Sequence, residues 1–298
     1  MKTLRIGLEW FMNPDHLPFL VGLDKGWFAE AGLAVELIEP QQHMDAIEAI
    51  EKGEMDVAVT EPLHLVEDAA QGHDAVGFAR FLHTNGGVMY FAESDIRRPR
   101  DMVGKRIQYP GAPGPGGPAI VLTMARADGA QATASDFGRV DNGFMHTDAL
   151  IEGKADVATL VFYNFEVVEA RERGRDARFF ALKDWGVPDF CQLILITHGD
   201  IFKRDKAHLQ ALVRVLSRGI DFLRQQPLAA REIYMRHMGA RAHGELAERI
   251  FEATVPCFTH DFSMAPQYYE KLAGWMREYG LIEKPLDAAR LWTNELAL

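Results

Sequence analysis

Aromatic and polar side chains stand together directly after the first strand-like segment of the chain. Trp10, Asn13 and His16 lie in the polar run that follows the alternating residues 3–8. A parallel sheet presents its ligand at the carboxyl ends of its strands. We therefore expect Trp10 to be a stacking platform for a flat ligand rather than a core residue. For His16 two roles stay open, a ligand contact or a cap on the following helix.

A second candidate group, Thr60, Glu61 and His64, follows the apolar segment MDVAVT at 55–60. Thr60 and Glu61 begin a predicted helix, where capping is a common role for such residues. The same position would let either residue hydrogen-bond a ligand, with His64 one helical turn further on. No second histidine lies at metal-ligand spacing, so we do not expect a metal here.

The third group is a glycine- and proline-rich run, GAPGPGGP at 111–118, that leads into a predicted helix. Gly114, Gly116 and Gly117 would offer backbone N–H groups to an anion or a carbonyl oxygen. The run is not a Walker A loop, because no GK[ST] follows it. Its three prolines remove donors and stiffen the loop, so a rigid turn is the alternative.

Acids adjoin aromatic rings at two further positions in the chain. Tyr163, Asn164 and Glu166 follow the predicted strand 156–162, and Asp189 precedes an apolar run that begins at Leu193. A carboxylate can accept two N–H bonds. These groups suit a flat ligand with amino or ring-nitrogen donors, although a salt bridge or a helix cap is the alternative for either acid.

Composition excludes several classes of function. A net charge of −11 argues against a nucleic-acid partner, because binding to phosphates needs concentrated Lys and Arg. No apolar run approaches the ~18–20 residues of a membrane helix. The GxSxG, HExxH and CxxC motifs are absent. We expect no metal and no cofactor.

Cysteine usage and the N-terminal residues bear on the compartment. Cys191 and Cys257 are too few for a disulfide framework, and whether they pair stays open. The start, MKTLRIGLEWF, lacks the apolar region and cleavage site of a secretory signal. We expect a cytoplasmic protein, or a periplasmic one from which an export signal has been removed.

The elements that must position these residues follow a βαβαβ order. Strands are predicted at 3–8, 33–39 and 55–60, with helices at 17–31 and 43–52 between them. This order predicts an α/β fold with a mostly parallel sheet and helices on its faces.

An internal repeat indicates a second lobe of the same kind. Residues 49–58, AIEKGEMDVA, are echoed by residues 149–158, ALIEGKADVA, at an offset of 100. Further helices are predicted at 200–225, 227–238, 244–254, 266–279 and 286–297. We expect lobe 1 to comprise 1–90 and 195–298, including a helical C-terminal tail, and lobe 2 to comprise 91–194. The chain would cross between them near 88–92 and 191–195, with the ligand in the cleft.

Four segments, 8–40, 53–72, 154–170 and 185–197, resemble the ThiY-like solute-binding proteins for thiamine-related pyrimidines. These proteins share their fold with the fungal-type thiamine pyrimidine synthases. The resemblance implies a periplasmic-binding-protein type II fold that closes on a formylaminopyrimidine or hydroxymethylpyrimidine ligand, with an ABC permease as partner. It implies that Trp10 stacks on the pyrimidine, that Glu166 and Asp189 bind its nitrogens, and that Gly111 to Gly117 close from the second lobe.

The chain departs from the synthase pattern at two of three features. His64 stands where the synthases carry a donor histidine, but Thr60 replaces their pyridoxal-phosphate lysine and cannot form a Schiff base. Their cysteine-rich run is replaced by Asp189-Phe-Cys-Gln-Leu. We therefore expect a binding protein and not an enzyme. A binding protein for a sulfonate, a flavin or an aromatic acid is the other alternative, and the acids near the expected site argue against anions.

Overall fold

In the computed structural model the chain forms two compact units, which are described separately. The first comprises Met1–His83, Gln192–Ala273 and Lys284–Leu298, and the second comprises Thr84–Cys191 and Gly274–Glu283. The structure describes residues 1–40, 46–112, 114–242, 244–265 and 267–298.

Each unit is built around one five-stranded sheet. The strands are β1 (Lys2–Gly7), β2 (Leu33–Ile38), β3 (Val57–Thr60), β4 (Ala75–His83), β5 (Gly86–Phe91), β6 (Arg106–Gln108), β7 (Gly138–Val140), β8 (Val157–Phe162), β9 (Ala177–Ala181) and β10 (Gln192–His198). The α-helices are α1 (Leu17–Asp24), α2 (Trp27–Glu30), α3 (Ala46–Glu51), α4 (Pro62–Gln71), α5 (Gly116–Ala127), α6 (His146–Ile151), α7 (Glu166–Glu172), α8 (Gly199–Gln225), α9 (Pro227–Met238), α10 (Glu245–Thr254) and α11 (Gln267–Glu278).

The two sheets have the same topology, with orders β2-β1-β3-β10-β4 and β7-β6-β8-β5-β9. In the first sheet β1 is parallel to β2 and β3, while β10 is antiparallel to β3 and β4. In the second sheet β6 is parallel to β7 and β8, while β5 is antiparallel to β8 and β9. The predicted pair of α/β lobes is therefore confirmed.

Burial on both faces explains the continuous apolar runs of the central strands. All four residues of β3 are buried, and Leu193 to Ile196 of β10 have no exposed surface. Since helices cover such strands, their polar residues are displaced to the loops at the strand ends, where the candidate site residues stand.

The predicted helix 17–31 is two helices. Gly26 adopts a φ of +70°, a left-handed conformation that separates α1 from α2. Glycine reaches this region without the steric cost that other residues meet. The strand that follows, β2, begins at Leu33 as predicted.

The prediction of a helix at 286–297 is wrong. Only a short 3-10 turn forms, at Ala288–Arg290, and the tail then lies along the edge strand β4. Gly77 of β4 donates to Leu291 O at 2.8 Å and accepts from Thr293 N at 2.9 Å. The ring of Trp292 covers Gly77 so closely that a Cβ there would lie 2.5 Å from it. Unpaired edge groups of a sheet are satisfied by such a segment.

The unit boundaries also differ in detail from the expected ones. The chain enters the second unit after His83, earlier than 88–92, because β5 pairs with β8 and β9. The end of α11 also belongs to the second unit, where Trp275 Nε1 donates to Thr123 Oγ1 at 3.0 Å. Among the described residues, no helix combines the length and apolar character that a membrane crossing requires.

Candidate functional site

Three glutamates follow the three adjacent parallel strands of the first unit. Glu39 comes directly after β2, Glu9 lies two residues beyond β1, and Glu61 comes directly after β3. The carboxyl ends of neighbouring parallel strands lie at one edge of a sheet, which is where α/β folds bind ligands. The predicted residues Trp10, Thr60 and His64 belong to the same edge.

The loop that carries Trp10 is anchored from within by His16. His16 has no exposed surface, and its Nε2 lies 3.1 Å from both carboxylate oxygens of Glu9. Its Nδ1 accepts from Asn13 N at 3.3 Å. Burial opposes protonation of His16, but the charge and hydrogen bond of Glu9 outweigh it and raise the histidine pKa. His16 and Asn13 thus have partners within the loop.

Asn13 also organises the turn beyond Trp10. It is buried, its Oδ1 accepts from Asp15 N at 2.7 Å, and its Nδ2 donates to Phe11 O at 3.0 Å. Asn13 therefore caps the short 3-10 turn Pro14–His16 that precedes α1. This side chain holds the loop that was predicted to bind ligand.

Glu39 ties the same loop from the neighbouring strand. It accepts from Met12 N at 2.8 Å and forms a bidentate ion pair with Arg241. The hydrogen bond from Arg241 is the largest cause of the lowered pKa of Glu39, and burial opposes it. Trp10 lies in the sequence between Glu9, which contacts His16, and Met12, which contacts Glu39. It is partly buried, and its ring centroid lies 4.3 Å from that of Phe11. Its backbone is thereby fixed on both sides.

The residues after β3 form the second part of this edge. Thr60 is buried at the strand end, and Glu61 occupies the N-cap position of α4 with an extended backbone. The Glu61 side chain makes no cap hydrogen bond. His64 is 37% exposed, and its Nδ1 lies 3.0 Å from Glu67 Oε2. His64 is therefore oriented by the acid one turn further along α4.

Both titratable groups of this helix start are strongly perturbed. Burial raises the pKa of Glu61 to about 7, and the Glu9 and Glu67 charges add to it while His64 opposes it. Burial works against protonation of His64, but the hydrogen bond and charge of Glu67 outweigh it and raise the pKa to about 9. Near neutral pH, His64 is a cation and Glu61 is close to half protonated.

In the second unit, β8 is distorted directly before its functional loop. Leu160 has a φ of +62°, a region that costs a branched residue about 1–2 kcal/mol. The register with β5 shifts at the same place, since Gly87 pairs with Val161 and Met89 with Ala158. One extra residue on β8 makes a β-bulge, a feature that re-aims the following side chains.

Two predicted ligand residues after the bulge are buried and engaged. Asn164 Oδ1 accepts from the Thr84 hydroxyl at 2.7 Å, and Glu166 Oε2 accepts from Phe162 N at 2.9 Å. Their exposed fractions are only 2% and 4%. The Glu166 bond closes the turn between β8 and α7, and the Thr84 bond joins that turn to the segment before β5.

His146, at the start of α6, faces Glu166. Its Nε2 lies 4.0 Å from Glu166 Oε1, and both side chains are buried. Burial lowers the pKa of His146 to about 4, so the ring is neutral at physiological pH. Its Nδ1 has no hydrogen-bond partner among the described residues.

The other candidates of this unit have mixed surroundings. Tyr163 is 38% exposed, packs edge-on against Phe179 at 5.2 Å, and its hydroxyl accepts from Arg171 at 3.2 Å. Asp189 is half-buried and has contacts of its own. Tyr163 therefore offers one accessible ring on the loop that holds Glu166.

The glycine-rich run divides into two kinds of position. A Cβ on Gly117 would lie 2.3 Å from Tyr109 Cδ1, so close packing demands glycine there. Gly114 is folded into a turn, donating to Gly111 O at 2.9 Å and accepting from the Tyr109 hydroxyl. A Cβ on Gly116 would meet nothing within 4 Å. Gly116 thus has no packing reason to be glycine, and residue 113 lies outside the described residues.

A cluster of metal-ligand types lies elsewhere in the first unit. Ligand atoms of Asp74, His198 and Asp200 all lie within 4.8 Å of one another. The two acids are exposed, and His198 Nδ1 accepts from Asp200 N at 3.2 Å to cap α8. Exposed acids often gather without an ion, and this arrangement does not by itself indicate a metal site.

Sequence reasoning missed the partners that position the candidate residues. Glu67 could have been found, because i,i+3 residues share a helix face. No local signal pairs His146 with Glu166 or Glu39 with Met12, since these contacts join segments distant in sequence. The structure places an aromatic ring and a carboxyl together at the strand ends of each unit, Trp10 with Glu61 in the first and Tyr163 with Glu166 in the second.

Comparisons with known proteins agree with this architecture. A sequence profile described as NMT1/THI5 like matches residues 13–230. The formylaminopyrimidine-binding protein of Halalkalibacterium halodurans is 24% identical over 300 residues, which cover 97% of this chain and 88% of that protein. The 4-amino-5-hydroxymethyl-2-methylpyrimidine phosphate synthase of Aspergillus parasiticus is 27% identical over 299 residues, covering 96% and 85%.

A solved structure shows the same fold. The periplasmic aliphatic sulphonate binding protein SsuA from Escherichia coli has a TM-score of 0.77 at 15% identity, with 99% of each chain covered. The predicted periplasmic-binding-protein fold is therefore confirmed, and at this identity the likeness concerns the fold alone.

Proposed function

The chain belongs to the NMT1/THI5-like family, and from that premise we propose that it is the ligand-binding component of an importer for thiamine-related pyrimidines. The proposed ligands are of the formylaminopyrimidine or hydroxymethylpyrimidine class. The observation that carries the proposal is that Trp10 and the carboxyl of Glu61 both follow adjacent parallel strands, at the same edge of the first unit's sheet. A ring and a hydrogen-bonding carboxyl suit a flat ligand with amino and ring-nitrogen groups.

The loop anchors support a binding role. His16 and Glu39 hold the Trp10 loop, and the Thr84–Asn164 and Phe162–Glu166 bonds hold the loop after β8. A site whose backbone is fixed before the ligand arrives loses less conformational entropy on binding. The relative from H. halodurans is named for binding a formylaminopyrimidine.

Isothermal titration calorimetry with formylaminopyrimidine and hydroxymethylpyrimidine tests the proposal, with an alkanesulfonate as the competing ligand class. We expect saturable binding of a pyrimidine and none of the sulfonate. Binding of the sulfonate alone would reject the proposed ligand. Scattering measurements with and without ligand would test the predicted closure of the two units.

The synthase alternative has one observation in its favour, the names of several relatives. Thr60 argues against it, because a threonine offers no amine to pyridoxal phosphate. Incubation with pyridoxal phosphate should produce no Schiff-base absorbance band. A band that is lost with His64→Ala would favour the synthase.

The proposed role needs export and a permease partner. A binding component of an importer works outside the cytoplasmic membrane, so we propose a periplasmic location for the functional chain. Fractionation of cells that express the natural gene tests this, and recovery in the cytoplasm alone would contradict the importer role.

A further inference from the structure

The three glutamates at the strand-end edge of the first unit differ in what they already bind. Glu9 is engaged by His16 through both oxygens, and Glu39 by Met12 N and Arg241. The side chain of Glu61 makes no hydrogen bond or ion pair with any residue that the structure describes, although its backbone carbonyl accepts from His64 N at 3.1 Å. Of these three carboxyls, Glu61 is the one left for a ligand.

The Glu61 carboxyl does not cap the helix that begins beside it. An N-cap side chain usually accepts from the first backbone N–H groups of its helix. Glu61 has the extended backbone of an N-cap residue, but its side chain makes no such bond. The side chain is therefore released from helix capping.

The charges that face Glu61 come from two elements. Glu9 approaches from the loop after β1, while His64 and Glu67 lie on α4. The two acids and the burial of Glu61 favour its neutral form, and His64 only partly offsets them, so its pKa lies at about 7. At neutral pH this carboxyl keeps a proton for about half of the time.

A protonated carboxyl offers an O–H donor beside a carbonyl acceptor. The edge of a 4-aminopyrimidine offers the reverse, an amino N–H donor beside a ring nitrogen with a lone pair. The two groups can form two parallel hydrogen bonds without burying a net charge, which is the favourable case in a desolvated site. An ionised carboxylate would instead set a lone pair against the lone pair of the ring nitrogen.

We propose that Glu61 reads the edge formed by the amino group and the adjacent ring nitrogen of the ligand, through a pair of hydrogen bonds that holds one shared proton. The proton stays on the carboxyl oxygen or moves to the ring nitrogen, and the complex keeps it in either case. Binding above neutral pH therefore takes up a proton from solvent. This inference rests on the proposed function and narrows the ligands to heterocycles with an amidine-like edge.

The experiment is calorimetry with 4-amino-5-hydroxymethyl-2-methylpyrimidine from about pH 6.5 to about pH 8.5, in buffers with different heats of ionisation. For the unaltered protein, affinity should fall by about tenfold per pH unit once the pH exceeds the Glu61 pKa. The buffer dependence of the heat should report uptake approaching one proton at the highest pH. The same pyrimidine without its amino group should bind about 2- to 10-fold more weakly at the lowest pH, because one hydrogen bond is lost.

Two substitutions separate the shared-proton pair from other roles of Glu61. Glu61→Gln presents the same donor and acceptor without a titrating proton, so its affinity should stay within about threefold at the lowest pH and should not fall on titration. Glu61→Leu should lose about tenfold or more at the lowest pH. Glu270→Gln, an exposed acid on α11, is the matched control and should follow the unaltered protein.

Three results would overturn the inference while leaving the proposed function intact. They are a flat pH profile for the unaltered protein, an unchanged pH dependence in Glu61→Gln, and a loss in Glu61→Gln as large as in Glu61→Leu. The last would mean that the ligand requires an ionised carboxylate. Failure of every aminopyrimidine to bind at any pH would instead reject the proposed function, and this inference would fall with it.

Discussion

Arg5 and Asp56 join β1 to the turn before β3 by four hydrogen bonds. Arg5 N, Nε and Nη2 donate to the Asp56 carboxylate at 2.9, 3.1 and 3.1 Å, and Asp56 N donates back to Arg5 O at 2.8 Å. Arg106 and Asp156 repeat each of these contacts in the second unit. The glycines before the aspartates, Gly53 and Gly153, each accept from the arginine Nη1.

The aspartate of the first unit should contribute more to stability than its counterpart. Asp56→Ala should lower the free energy of unfolding by about 2–3 kcal/mol, because the partly buried backbone and guanidinium donors of Arg5 lose a charged acceptor. Asp156→Ala should cost about 1 kcal/mol, because its pair with Arg106 is more exposed. Denaturant unfolding measures both.

Asp176→Ala is the control for these variants. Its pair with Arg178 is more than half exposed on both sides, so the cost should stay within about 0.5 kcal/mol. Equal losses for Asp56→Ala and Asp176→Ala would contradict the assigned role of Asp56.

The repeat also explains how much of the fold was predictable. The helix–Gly–Asp–Val–Ala pattern is local, and it correctly indicated two sheets of one kind. The tail 286–297 was wrongly predicted as a helix because its local periodicity is helical. The strand with which Trp292 pairs, β4, is more than 200 residues away in sequence and gives no local signal. The strand-end loops were also predictable from local patterns. The partners that hold these loops, such as His146 beside Glu166, were not, because they are distant in sequence.

Leu160 allows a test of the strain at the bulge of β8. Leu160→Gly should be about 1 kcal/mol more stable than Leu160→Ala, because glycine adopts a φ of +62° without steric cost. Thermal or denaturant unfolding measures the difference. At the neighbouring Val161, where φ is not positive, the order should reverse and glycine should be the less stable of the two. The same order at both positions would contradict strain at Leu160.

The glycine-rich run offers a second matched pair. Gly117→Ala should destabilise the second unit by about 1–3 kcal/mol, because its Cβ would press on the ring of Tyr109. Gly116→Ala should stabilise by about 0.5–1 kcal/mol, since the space is open and alanine favours the helix. Unfolding midpoints compare them, and equal effects would show that Tyr109 yields to the added methyl group.

The pKa values of His64 and His146 should lie on opposite sides of the ordinary histidine value. The ring proton signals of His64 should shift with a pKa of about 9, and those of His146 with a pKa of about 4. Glu67→Gln should lower the pKa of His64, because the hydrogen bond and charge that favour the cation are removed while burial remains. Two histidines that both titrate near 6.5 would contradict these environments.

The same shifts fix the pH dependence of stability. The pKa of His64 is raised above its unfolded value, so its contribution is complete below about pH 6.5 and is lost as the pH rises through about 9. The pKa of His146 is lowered, so its contribution is complete above about pH 6.5 and is lost as the pH falls through about 4. The free energy of unfolding, measured across this range, should therefore fall at both high and low pH. His146→Gln should reduce the fall on the acid side.

Trp10 should carry the stacking part of ligand affinity. Trp10→Ala should weaken binding of hydroxymethylpyrimidine by about 1–3 kcal/mol, because the ring loses an aromatic face, while Trp10→Phe should retain most of it. Trp27→Phe is the control, since Trp27 packs beneath the Arg218 guanidinium at 3.8 Å and edge-on to Phe222. Calorimetry measures all three variants. Because His16 and Glu39 fix the Trp10 loop independently of the indole, an unchanged affinity in Trp10→Ala would mean that the ligand does not stack there.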